Sequence, residues 1–160
     1  MRVIDGSGSA GGLKFAVVVS KYNDFVTDRL QKGALAALAK AGVADDDITV
    51  VRVPGAFEIP MAARLAADTA RFDAVIGLGC LIRGATPHFE YISSSVAHGL
   101  MAASADTSIP MAFGVLTVNS AEEALERAVD GPSNKGWEAA TAAVEMARVA
   151  SGLSDGTRPA

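Results

Sequence analysis

Cysteine is nearly missing from this 160-residue sequence, with Cys80 standing alone. That excludes an internal disulfide, leaves no paired thiols for a structural zinc site, and fits a reducing cytoplasm. A basic cluster is missing as well. Fourteen Lys and Arg against eighteen Asp and Glu leave a net charge of −4, and nowhere do the cations gather into the patch that nucleic acid requires. The two longest uncharged stretches, Tyr91 to Ala105 and Thr107 to Ala121, fall short of the ~18 apolar residues of a membrane span and contain Ser, Gly or Pro. The N-terminus has no hydrophobic signal core. The expectation is a cytoplasmic protein with neither nucleic acid nor a membrane as partner.

What is present is apolar and small. Half the residues are hydrophobic and 20% are charged, which describes one compact domain rather than a disordered chain. Counting gives 31 Ala beside 16 Gly, residues that let helices and sheets approach closely. A domain of this size has much surface for its volume, so the apolar surplus points to burial against further copies.

Residues Lys14 to Ser20 form a short, β-branched, almost continuous apolar run, the pattern of a strand buried on both faces of a parallel sheet. Val26, Leu30, Ala34, Ala37, Leu38 and Ala41 then recur at helical spacing and stop at Gly42. The alternation continues with a strand over Ile48 to Val53, a helix over Phe57 to Ala70 with Pro60 in its first turn, and a strand over Ala74 to Ile82. A helix follows over Pro87 to Ala105, then a strand over Met111 to Val118. Ser120 and Glu123 form a capping box for a short helix through Ala128. Gly131 and Pro132 break it, and a last helix spans Asn134 to Ala150. Such alternation predicts an α/β fold: an open parallel sheet covered on both faces, with ligands bound beyond the carboxyl ends of its strands. Residues 1–12, rich in Gly and Ser, and 154–160 read as flexible ends of a 13–153 domain.

Two motifs are decoys. Gly6, Gly8 and Gly11 spell GxGxxG but precede the first strand, whereas the dinucleotide fingerprint follows one. Gly79 to Thr86 (GCLIRGAT) has phosphate-loop spacing, with Ala85 where the lysine belongs. It still lies between a strand and a helix start, where free N–H groups and the helix dipole suit an anion. Thr86 either serves that anion or only caps the helix. His88 sits in the first helical turn beside it, and is either a surface histidine or a proton carrier for a bound substrate, since imidazole changes charge near neutral pH. His98, in mid-helix, is expected to pack. In PGAFEIP, Pro54 to Pro60, Glu58 either complements a helix dipole or accepts hydrogen bonds from a polyol. Tyr22 is a stacking platform or a lid on the core. Arg127 and Lys135 flank the Gly131-Pro132 break; such cations are ordinarily solvated unless a phosphate comes within reach.

Taken together, GAFEIP (55–60), GCLIRGATPHF (79–89), FGVLT (113–117), ERA (126–128) and NKG (134–136) resemble the lumazine synthase family of riboflavin biosynthesis, from about Leu13 to Leu153. The resemblance implies a flavodoxin-like three-layer sandwich with a four-stranded parallel sheet. It also implies a transferase that uses no cofactor or metal. Its substrates would be 5-amino-6-(D-ribitylamino)uracil and 3,4-dihydroxy-2-butanone 4-phosphate. The products would be 6,7-dimethyl-8-ribityllumazine, phosphate and water. It further implies that Tyr22 stacks on the heterocycle and that Ala56, Phe57 and Glu58 hold the pyrimidine and ribityl chain. Cys80, Leu81 and Ile82 would read the ring through backbone groups. Ala85 and Thr86, with Arg127, would bind the phosphate, and Phe113 would close the ring pocket. His88 and Arg127 would be catalytic. Phe113, Arg127 and Lys135 would come from a neighbouring subunit of a homopentamer. In part of the family twelve pentamers close into an icosahedral capsid, a 60-mer, which the short connection from Val129 to Asn134 favours here. Riboflavin synthase is raised as an associated partner. Tyr22, where Phe or Trp is commoner, and Cys80, where Thr or Val is, depart from the family pattern.

Overall fold

A computed structural model describes residues 1–155. Four strands, β1 (Phe15–Ser20), β2 (Ile48–Val53), β3 (Ala74–Ile82) and β4 (Met111–Val118), form one parallel sheet in the order β2-β1-β3-β4. All six residues of β1 are buried, as a central strand covered on both faces requires. The register sets Val18 beside Val51 on one side and Gly77 on the other. Chain direction across the sheet reverses between β1 and β3, the switch point at which such sheets open a crevice.

Among the described residues five α-helices complete the fold: α1 (Asp24–Lys40), α2 (Ile59–Asp68), α3 (His88–Thr107), α4 (Ala121–Glu126) and α5 (Lys135–Ser154). One layer joins α1 and α5 to Phe15, Val17, Val19, Ile76 and Leu78 of the sheet. The other joins α2 and α3 to Ala16, Val18, Val75 and Val115. The result is the flavodoxin-like three-layer sandwich.

Small residues bring α1 and α5 together. A Cβ at Gly136 would overlap the Leu30 carbonyl oxygen, and one at Gly33 would overlap the Asn134 side chain. Asn134, 1% exposed, caps α5. Its Oδ1 accepts from the N–H groups of Gly136 (2.8 Å) and Trp137 (3.2 Å), and its Nδ2 donates to the Arg29 carbonyl (3.2 Å). One side chain thus satisfies helix-end donors and ties two helices.

Boundaries differ from the expected ones where local geometry intervenes. Residues 56–58 form a 3-10 turn before α2, and Ala70, at φ 57°, lies beyond the helix, which ends at Asp68. Gly42, at φ 95°, does terminate α1, with Val43 N–H reaching back to Leu38, a Schellman-type ending. Helix α5 continues four residues past Ala150. His98 is exposed rather than packed. The close contact of α2 with α3 falls to its neighbour Gly99, where a Cβ would stand 2.8 Å from Pro60.

Residues 1–12 contain no helix or strand, yet they lie against α5. Arg148 donates to the carbonyls of Ser7 (2.6 Å) and Ser9, and Ala10 is fully buried. Composition does not encode these long-range backbone contacts. Of the expected C-terminal tail, Ser154 closes α5 and Asp155 follows it; the remainder lies outside the described residues.

Candidate active site

The turns that leave the strands at the switch point enclose a cleft of about 840 Å³. β1 contributes Tyr22 and Asn23, β2 contributes Pro54 to Glu58, and β3 with the start of α3 contributes Leu81, Ile82, Gly84, Thr86, His88, Phe89 and Ile92. Of the residues singled out in the sequence, Tyr22, Ala56, Phe57, Glu58, Leu81, Ile82, Thr86 and His88 therefore share one cavity. Tyr22 (73%) and Phe57 (61%) are open to solvent, so neither is a lid on the core.

Local structure explains several of these placements. Asn23 adopts φ 61° before α1 and makes no side-chain cap; instead its Nδ2 donates to the Cys80 carbonyl at 2.9 Å, bridging the ends of β1 and β3. Glu58 accepts the Gly55 N–H on Oε2 at 3.0 Å. That contact fixes the carboxylate over the turn and leaves Oε1 for another donor. The first residue of α3 is His88, and its N-cap is Pro87 without any side-chain cap. Thr86 thus does not cap the helix, and it lines the cleft beside the uncapped helix end. Such an end offers N–H donors and a positive dipole to an anion.

Two residues expected at this end of the sheet do not line the cavity. Cys80 is 2% exposed with its thiol in the α1/α5 core, where burial pushes the thiol up to about 11. Only its backbone reaches towards the site, through Asn23. Ala85 is exposed in the loop between Gly84 and Thr86.

Phe113, Arg127 and Lys135 lie elsewhere. With Thr117, Glu138 and Ala142 they line a shallower hollow of about 330 Å³ along the β4 edge and the start of α5. The backbone N–H of Lys135 donates to the Arg127 carbonyl at 2.9 Å, which ties the two residues together through their main chains. Arg127 Nη1 donates to the Glu123 carbonyl at 3.0 Å, and Lys135 Nζ pairs with Glu138 at 2.8 Å. Phe113 is 47% exposed on an edge strand. Among the described residues no Lys or Arg lines the larger cleft.

Asn23, Phe89 and Ile92 were not singled out in the sequence. Asn immediately before a helical pattern is a residue that tolerates positive φ, and Ile92 lies one turn beyond His88 on the face it shares. Both were weak signals. Among the described residues no group of three or more His, Cys, Asp or Glu stands together to hold a metal ion, and no helix is long and apolar enough to cross a membrane.

The fold and the strand-end cleft define a flavodoxin-like α/β protein with an uncapped helix start beside an aromatic crevice. A family model described as 6,7-dimethyl-8-ribityllumazine synthase matches residues 12–151. A protein of Syntrophus aciditrophicus (strain SB) with that same description is 54% identical over 144 residues, which is 90% of this chain and 94% of that relative. The chain belongs to the 6,7-dimethyl-8-ribityllumazine synthase family.

Proposed function

We propose that this protein is a transferase of riboflavin biosynthesis that condenses 5-amino-6-(D-ribitylamino)uracil with 3,4-dihydroxy-2-butanone 4-phosphate, and that its active site forms between two chains. One observation carries the second part: among the described residues no Lys or Arg lines the cleft that would hold a phosphate ester, whereas the β4 edge presents Arg127, Lys135 and Phe113. Docking the β4 edge of one copy over the cleft of the next supplies both. Exposed Met61, Leu65, Tyr91 and Met101 provide further apolar surface for assembly.

In this reading Tyr22 and Phe57 clasp the pyrimidine, Glu58 accepts from the substrate through its unused oxygen, and Leu81 and Ile82 present backbone groups to the ring, with the Cys80 carbonyl held by Asn23. Thr86 and the loop N–H groups at Ala85 receive the phosphate, joined by the neighbour's Arg127 and Lys135. The 5-amino group attacks the ketone carbon and a first water leaves as the imine forms. Phosphate is then eliminated, its charge met by the guanidinium fork of Arg127. The ribitylamino nitrogen closes the ring and a second water leaves. His88 carries protons through these steps, worth about 10²-fold or more, and alignment of the two substrates contributes further.

The assembly in this reading is a homopentamer, twelve of which close into an icosahedral capsid as the short 129–134 connection favours. It is cytoplasmic, and riboflavin synthase is the associated partner that would consume the product. Purified protein given both substrates releases phosphate and forms a fluorescent lumazine; a folded assembly that forms none refutes the activity.

A further inference from the structure

Arg83 stands at the end of β3, is not among the residues lining the cleft, and has no part in the chemistry above. Its guanidinium nevertheless joins three elements. Nε donates to Asn119 Oδ1 at 3.1 Å just beyond β4. Nη1 donates to the Glu90 carboxylate in the first turn of α3. The guanidinium carbon lies 4.6 Å from the centre of the Phe89 ring, and Phe89 is itself a wall of the cleft. The Arg83 backbone N–H adds a 2.8 Å bond to the Val118 carbonyl.

Between Arg83 and α3 runs the 84–87 loop. Among the described residues it makes one backbone bond of its own, a long 3.4 Å contact from Tyr91 N–H to the Pro87 carbonyl. Around Gly84 there is open space, with nothing within 4 Å of a Cβ built there. The loop is therefore held at its ends rather than along its length. Arg83 and Glu90 are each about half exposed, so their pairing adds little to stability. Its consequence is geometric, because a fork held by two acceptors and laid against an aromatic face fixes orientation in a way that a lysine cannot.

We propose that Arg83 is a positioning residue for the phosphate-bearing substrate. Through Asn119, Glu90 and Phe89 it clamps the 84–87 loop and the α3 start, so that the loop N–H groups, Thr86 and His88 meet the phosphate already ordered. This rests on the reading that the butanone phosphate binds at that loop. Without the clamp the loop must be ordered at binding, which weakens affinity for that substrate, and small misplacements there cost rate.

The test is steady-state kinetics on the assembled protein, with inorganic phosphate as a competing probe. R83M should raise the KM for the butanone phosphate and the inhibition constant of phosphate by about tenfold, with the KM for the pyrimidine changed less than about twofold. R83K should not restore the wild-type values. E90Q, which leaves Arg83 in place, should shift the same two constants in the same direction, and R83M with E90Q should be no worse than R83M alone. R64A, which removes an exposed arginine bridging α2 and α3 through Asp68 and Asp106, should leave all constants unchanged. Equal changes in both KM values, no change, or full rescue by R83K would each overturn the assignment while an active wild type keeps the proposed function standing. An inactive wild type would remove that function, and this assignment with it.

Discussion

The cleft at the switch point and the hollow on the β4 edge are made in opposite ways. The cleft is a gathering of turns: a left-handed Asn23, a 3-10 segment at 56–58 and an uncapped start of α3, which together leave about 840 Å³ of space. The edge is regular structure, with Phe113 on a strand and Lys135 opening a helix, and its hollow is less than half that volume. The first has room, aromatic walls and hydrogen-bonding groups but, among the described residues, no Lys or Arg; the second has two cations and little room. In the proposed reading each provides what the other lacks for a phosphorylated substrate, so that one chain would hold two incomplete surfaces instead of one site.

The largest expected effects come from emptying either half. His88→Ala should lower turnover by about 10²-fold or more with the assembly mass unchanged by light scattering; an undiminished rate would remove His88 from proton transfer. Arg127→Met should lower kcat/KM by a comparable ~10²-fold, seen in a phosphate-release assay. A structural contrast sharpens these results: Gly136→Ala drives a methyl into the Leu30 carbonyl and should cost about 1–3 kcal/mol in chemical denaturation without altering residues of either surface.

Glu58→Gln should be milder, about tenfold in kcat/KM, because the amide oxygen still accepts the Gly55 N–H while the charge is lost. The smallest effect concerns Cys80. With the folded thiol raised to about 11 from an ordinary 9.0, its contribution to stability is complete below pH 9 and is lost between pH 9 and about 11, as the unfolded thiol ionises first. Cys80→Val should lessen the fall in melting temperature over that window alone, and the folded wild type should resist thiol alkylation at pH 8 far longer than the denatured chain. A thiol that reacts freely in the folded protein would show that Cys80 opens to the cleft.

How much of this was legible in the sequence differs between the two surfaces as well. Central strands such as β1 and β3 announce themselves by unbroken apolar runs, and Gly42 and Ser120 mark helix ends by short-range chemistry. Glu58, Thr86 and His88 were readable as a strand-end group because fold class alone puts those turns at one end of the sheet. The bonds that hold the group are not local. Asn23 reaches Cys80 across 57 positions and Asn134 reaches Arg29 across 105, and no periodicity records such pairs. Arg127 and Lys135 look idle in the sequence for a related reason: the use proposed for them needs a second copy, and the pattern of one chain describes only its own contacts. The surplus of Ala and Gly hinted at association, yet part of that surplus is spent inside the monomer, at Gly33, Gly99 and Gly136.

Mixing two variants tests directly whether the two surfaces complete one another across chains. His88→Ala and Arg127→Met proteins, each weakly active alone, can be unfolded together and reassembled. Mixed assemblies should recover a substantial fraction of wild-type lumazine formation, because some interfaces then pair an intact cleft with an intact β4 edge. If the mixed assemblies form at the wild-type mass and remain as inactive as their parents while reassembled wild type is active, the shared site is wrong.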